Sequence, residues 1–180
     1  YKQSRIVAFS TGNVLPFVPV HSGGLSEETT PAPLGEYGQS CLGRERLFQY
    51  FSELNQTATL IYRLNYAVDF RYGVVLEVAK AVNEGRAIDL RTGNVNVIWQ
   101  GDANSVALRC LARATTPTTP INVTGPRHTP IRWLAAEFGK RFGRAPVFST
   151  WLWNSRTSNF APMAFFALSF RRRMVIAPIL

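Results

Sequence analysis

Apolar and polar positions along this chain change period several times, and each change marks an element. Arg5-Ile-Val-Ala-Phe9 is a short apolar run rich in β-branched residues, the pattern of a strand buried in a parallel sheet. It opens onto the polar turn Ser10-Thr11-Gly12-Asn13. From Leu15 to Glu36 the residues Pro16, Pro19, Gly23, Gly24, Pro31, Pro33 and Gly35 leave no room for a long element. A loop of that length inside a domain is usually functional. Helical spacing follows from about Glu36 to Leu54, where Leu47, Phe48, Phe51 and Leu54 recur as a stripe that predicts a buried face. Thr59-Leu-Ile-Tyr-Arg63-Leu64 reads as a second strand.

Beyond Arg71-Tyr72-Gly73 the helical period returns over Val74 to Asn83, with Gly85 as its stop. Alternation then takes over at Ile88 and Leu90. The turn Thr92-Gly93-Asn94 and the returning Val95, Val97 and Trp99 predict a hairpin. Asp102 is placed to cap a helix over Ala103–Arg113. Ile121-Asn-Val-Thr124 predicts a strand rejoining the sheet. Thr129 as cap and Pro130 at the first helical position open a last helix through Phe142, which Gly143 closes.

The chain has 180 residues, enough for one domain with a sizeable core, and its 46% apolar content agrees with a globular protein. A net charge of +9 invites a nucleic-acid reading, yet four of those charges are Arg156, Arg171, Arg172 and Arg173, in a segment without acids. Elsewhere Arg44, Arg46, Arg63, Arg71, Arg86 and Arg91 alternate with Glu36, Glu45, Glu53, Asp69, Glu77, Glu84 and Asp89, the pattern of a mixed solvated surface. No nucleic-acid partner is expected. The apolar run before Arg171 is too short for a membrane span and is broken by Pro162. Residues 150–180 are expected to be a divergent, poorly packed basic and apolar tail. Cys41 and Cys110 form no CxxC and no Cys/His cluster, so neither a disulfide framework nor a metal site is expected, and a reducing cytoplasm is the default. His21 and His128 have no carboxylate or cysteine at metal-ligand spacing in the sequence and read as surface residues.

Two motifs stand in order. Phe9-Ser10-Thr11-Gly12-Asn13-Val14 resembles the Ser-Ser-x-x-Val turn, and Tyr37-Gly38-Gln39-Ser40-Cys41 resembles the Tyr-x-x-x-Lys, of the extended short-chain dehydrogenase/reductases, the NAD(P)-dependent epimerase/dehydratase family. The resemblance covers about residues 4–149. It implies an α/β fold, a partial Rossmann-type parallel sheet with helices plus a small α+β substrate lobe. Residues 1–73 would be the later part of the NAD(P)-binding domain, and 74–149 mostly the substrate side. There is no Gly-x-Gly-x-x-Gly, so the expectation is a fragment lacking the N-terminal half of such an enzyme.

The resemblance further implies NAD or NADP as cofactor, a nucleotide-linked sugar or similar polyol as substrate, and a homodimer. It makes Tyr37 the acid/base, Thr11 the residue orienting the substrate hydroxyl, and Ser10 its neighbour. Ser10, Tyr37, Leu64, Asn65, Ala67 and Val68 would line the cofactor, the last four because Arg63-Leu64-Asn65-Tyr66-Ala67-Val68 resembles the family's Arg-x-x-Asn-Pro-x segment. Glu27-Glu28-Thr29 and Trp99-Gln100-Gly101-Asp102 resemble acidic stretches of the family and are given no catalytic role. A phenol can serve as acid/base only if its pKa falls toward working pH. Moving one from about 10 to about 7 takes roughly 4 kcal/mol. The family's lysine supplies part of that, and here Cys41 stands in its slot, one helical turn from Tyr37 and on the same face. A neutral thiol brings no positive charge, which leaves a non-catalytic nucleotide-binding or interaction protein on the same scaffold as the alternative.

Overall fold

The computed structural model describes residues 3–149 and the short strand at 166–167. In chain order its elements are β1 (Ile6–Thr11), which runs into one 3-10 turn at Gly12–Val14, and β2 (Val18–Pro19), followed by a second 3-10 turn at Val20–Ser22. Next come α1 (Gly35–Asn55), β3 (Thr59–Leu64), β4 (Ala67–Val68) and α2 (Val74–Glu84). β5 (Ala87–Ile88), β6 (Asn94–Asn96), β7 (Ile98–Trp99) and α3 (Gln100–Cys110) follow, the last prolonged by a 3-10 turn at Leu111–Arg113. β8 (Thr119–Val123), β9 (His128–Pro130), α4 (Ile131–Phe142), β10 (Val147–Phe148) and β11 (Phe166–Ala167) complete the described chain.

The main sheet has the order β1-β3-β8 and is parallel throughout. Ile6 lies opposite Thr59 and Ser10 opposite Arg63, which in turn lies opposite Asn122. Successive residues of a strand face opposite sides of a sheet, so the two faces differ in chemistry. On one face Leu60 and Tyr62 pack with Val123 against Ala103, Ala107 and Cys110 of α3. Tyr62 is fully buried and its hydroxyl donates to the Ala103 carbonyl at 2.7 Å. The other face, presenting Ser10 and Arg63, is covered by α1. Val78, Ala81 and Val82 of α2 pack against Ile131, Leu134 and Ala135 of α4 in a second cluster, together with Ile88 and Val95. This is a Rossmann-like parallel α/β sheet with a smaller α+β unit.

Four expectations need correction. The hairpin does not form. β5 pairs in parallel with β10, β6 pairs antiparallel with β9, and β7 pairs in parallel with β4. Alternation reports which side of a strand is buried, not which strand it meets. Because β9 takes Thr129 and Pro130 into a ladder, α4 starts at Ile131 with Pro130 at the cap position. The Gly93 carbonyl, not the Thr129 side chain, accepts the Ile131 N–H at 2.9 Å. Asp102 lies inside the first turn of α3, whose cap position is Trp99, so its carboxylate faces the positive end of the helix without capping it.

The stripe on α1 is the largest difference. Leu47, Phe51 and Leu54 are 60%, 51% and 62% exposed, while Gly38, Cys41, Glu45 and Ser52 are buried. The sheet face on this side carries Ser10, Thr59 and Arg63 beside Ala8 and Ile61, and α1 buries small and polar residues while Leu47, Phe51 and Leu54 turn outward and Phe48 stays half-buried. Gly85 and Gly143 end α2 and α4 as expected. The basic tail expected over residues 150–180 lies outside the described residues, apart from β11.

At the far side of β8 the main chain of Pro120 and Asn122 points away from β3. Pro120 has no N–H to offer. The Asn122 N–H is taken by the Glu27 carboxylate at 2.9 Å, reached across the sheet by the loop that follows β1.

Candidate functional site

Ligands bind at the carboxyl edge of an open parallel sheet, and that edge gathers most of the expected site residues. β1 delivers Ser10 and Thr11 to it, both buried. Thr11 caps the Gly12–Val14 turn, its hydroxyl oxygen accepting from the Asn13 N–H at 3.2 Å. The first turn of α1 abuts this 3-10 turn. A Cβ added at Gly38 would lie 2.6 Å from the Asn13 carbonyl oxygen and 2.8 Å from Pro33, so only glycine permits this approach without movement. Tyr37, the preceding residue, therefore stands beside the Ser10–Val14 turn with its ring 62% exposed. It is a surface residue.

Cys41 does not share that exposure. It is buried among Val14, Leu15 and Leu25, with Phe17 and Leu42 at the margin. Its sulfur also accepts from the Arg44 guanidinium at 3.4 Å. The structure thus gives Cys41 the packing of a small hydrophobe. Cys41 and Cys110 are both free thiols, and burial pushes the Cys110 thiol up.

The segment after β3 remains at the same edge. Leu64 ends the strand, and Asn65 is buried with its N–H donating to the Val123 carbonyl at 2.9 Å. The Asn65 side-chain amide nitrogen has no partner among the described residues. Tyr66 adopts a left-handed φ of 44°, which swings the chain into β4, where Ala67 and Val68 pair with Ile98 and Trp99. Leu64, Asn65, Ala67 and Val68 are therefore contiguous at the sheet's carboxyl edge, as Ser10 and Thr11 are.

The residues that the charge pattern assigned to a solvated surface, Glu45 and Arg63, prove central. Glu45 is 2% exposed and Arg63 3%. Arg63 Nε donates to Glu45 Oε1 at 3.0 Å and Nη2 to Oε2 at 2.8 Å, a bidentate fork. The Ser10 hydroxyl donates to the same Oε1 at 2.5 Å. One cue to this node was present in the sequence: Glu45 follows Cys41 by four residues and Tyr37 by eight, on one helical face. Among the described residues no group of three or more His, Cys, Asp or Glu could hold a metal ion, and no helix is long and apolar enough to cross a membrane.

This edge carries a hydroxyl turn from β1 and a tyrosine in the first turn of the following helix. No protein-family model and no curated protein sequence matches the chain. Solved structures do match in shape. A UDP-glucose 4-epimerase from Thermus thermophilus in complex with NAD superposes with a TM-score of 0.64 at 18% identity, over 79% of this chain and 50% of that one. MoeE5 in complex with UDP-glucose and NAD gives 0.72 at 14%, over 94% and 56%. A dTDP-glucose 4,6-dehydratase from Bacillus anthracis in complex with NAD gives 0.65 at 14%, over 80% and 52%. At such identities the likeness defines the fold. The chain spans about half the length of the structures it matches.

Proposed function

We propose that this chain supplies the tyrosine-bearing and substrate-side part of an NAD(P)-dependent oxidoreductase of the epimerase/dehydratase type. It acts on a nucleotide-linked sugar or similar polyol, in a reducing cytoplasm that suits its free thiols. The observation that carries this reading is the packing of the first turn of α1 against the Ser10–Val14 turn at the sheet's carboxyl edge. Residues 1–73 then serve the cofactor and 74–149 mostly the substrate.

The residues after β3 suit a dinucleotide. The unpartnered Asn65 amide is a buried donor at the edge, and Leu64, Ala67 and Val68 offer apolar surface and backbone beside it. NAD(P), held beside Asn65, Leu64, Ala67 and Val68, would supply the hydride acceptor for the substrate carbon. Tyr37 takes the proton of the hydroxyl on that carbon, and Thr11 donates a hydrogen bond to the same oxygen. Ser10 and Tyr37 complete the lining on the β1 side.

One observation favours the second reading, a nucleotide-binding or interaction protein without turnover: Cys41 is buried in an apolar cluster where the family carries its ammonium. Self-association is proposed to use the outward stripe of Leu47, Tyr50, Phe51 and Leu54 on α1.

The test is titration of NAD and NADP in both redox states, followed by thermal shift, and then turnover of UDP-glucose with bound NAD. Binding and turnover by the whole protein of which this chain is part, with turnover abolished by Tyr37→Phe, is the expected result. Binding without turnover selects the second reading, and no dinucleotide binding by the folded protein overturns both.

A further inference from the structure

We propose that Glu45 is a positioning residue that fixes the polarity of the hydroxyl turn, committing the Ser10 proton inward so that Thr11 alone has a proton to give to substrate. The inference rests on the oxidoreductase reading for its catalytic consequence. The hydrogen-bond assignment beneath it stands on geometry alone.

Glu45 is locked in a two-pronged ion pair with Arg63, and an ionised carboxylate in such a fork can only accept hydrogen bonds. The Ser10 oxygen at 2.5 Å from Oε1 must therefore be the donor, at the short end of the range for a hydroxyl bonded to a carboxylate. A serine hydroxyl has one proton, so Ser10 keeps only lone pairs for anything else. Thr11 is wired the opposite way. Its oxygen already accepts from the Asn13 N–H, which leaves its proton without a protein partner in the described hydrogen bonds. Adjacent hydroxyls of one turn thus have reversed roles, and the difference originates in Glu45.

Burial makes the arrangement hold. Ser10, Glu45 and Arg63 are each nine-tenths or more buried, so water does not compete for these bonds. Arg63 lies directly opposite Ser10 across the β1–β3 ladder, and Glu45 descends from α1 onto both. The node therefore ties the hydroxyl turn, the neighbouring strand and the tyrosine-bearing helix to one another. Arg63 Nη1 is without a partner among the described residues, so the fork is held by Nε and Nη2 alone.

Two measurements on the chain as it stands test this. In proton NMR the Ser10 hydroxyl should appear as a slowly exchanging resonance shifted downfield, with cross-relaxation to the Ser10 β protons. It should vanish in Ser10→Ala and move upfield in Glu45→Gln. With UDP-glucose and NAD as probes, Ser10→Ala should lower kcat less than Thr11→Val, which should lower it about 100-fold with KM little changed, the loss typical of one donor to a developing oxyanion. Glu45→Asp should recover part of any turnover that Glu45→Gln removes.

A Ser10 hydroxyl that exchanges as fast as an exposed serine overturns the proposal. So does a Ser10→Ala loss equal to that of Thr11→Val. Should Glu45→Gln fail to fold, Ser10→Ala still decides. Should the wild-type chain show no turnover, the hydroxyl resonance alone decides the proton assignment.

Discussion

Arg63→Met isolates the energetics of the buried node. The substitution keeps an unbranched, apolar side chain of similar reach but removes both donors of the fork, leaving Glu45, 2% exposed, with Ser10 as its described donor. Breaking a buried pair from one side costs about 3–5 kcal/mol, because the remaining charge stays desolvated without compensation. Against a total stability of roughly 5–15 kcal/mol for a domain, that is about a fifth or more. At about 2–4 °C per kcal/mol for a chain of this size, the melting temperature should fall by roughly 6–20 °C. The double variant Arg63→Met with Glu45→Leu removes both charges, so it should recover most of the loss despite losing the Ser10 acceptor. Urea unfolding followed by circular dichroism, completed as a double-mutant cycle, measures the coupling directly. A loss below about 1 kcal/mol in Arg63→Met, or a double variant less stable than either single one, would refute the claim that the pair is buried and mutually dependent.

Two further outcomes follow from the packing. Burial, with a smaller contribution from Cys110, pushes the Tyr62 phenol far above its ordinary value. The unfolded chain therefore releases that proton first, and stability that is complete below about pH 10 should decline as pH rises from there; Tyr62→Phe should lack this alkaline slope in unfolding titrations while losing about 1 kcal/mol near neutrality. At Gly125 a Cβ would come within 1.8 Å of the Val97 carbonyl oxygen, so Gly125→Ala should cost about 1–3 kcal/mol by urea denaturation, and a neutral result would mean that the 124–126 segment does not approach Val97 as described.

Much of the fold was legible because it depends on local signals. The apolar runs at Arg5–Phe9 and Thr59–Leu64 became adjacent parallel strands, Ile121–Thr124 joined them, and Gly85 and Gly143 ended their helices. What could not be read was set by partners distant in sequence. The Val95 and Trp99 alternation gave no indication that β6 would meet β9 and β7 would meet β4. The α1 stripe misled for a related reason: helical period identifies the apolar face but not what packs on it, and the buried side of α1 is the one on which Glu45 meets Ser10 and Arg63. Glu45 and Arg63 looked like members of a charge-alternating surface, because a buried pair and an exposed one have the same composition. Ser10, Thr11 and Tyr37 were singled out through motif order, and what the motif could not give is that Ser10 lies against a buried carboxylate while Thr11 accepts from the Asn13 N–H.

The Glu27–Asn122 contact gives the sheet a direction of growth. With Pro120 lacking a donor and Asn122 already satisfied by a side chain, the β8 margin offers no N–H to an incoming strand, so a single carboxylate does there what a protective neighbouring strand would otherwise do. No such stopper lies along β1, whose outward main chain at Val7, Phe9 and Thr11 has no strand partner among the described residues. Any strand that extends this sheet, whether from the same chain or another, is received beside Ile6–Thr11.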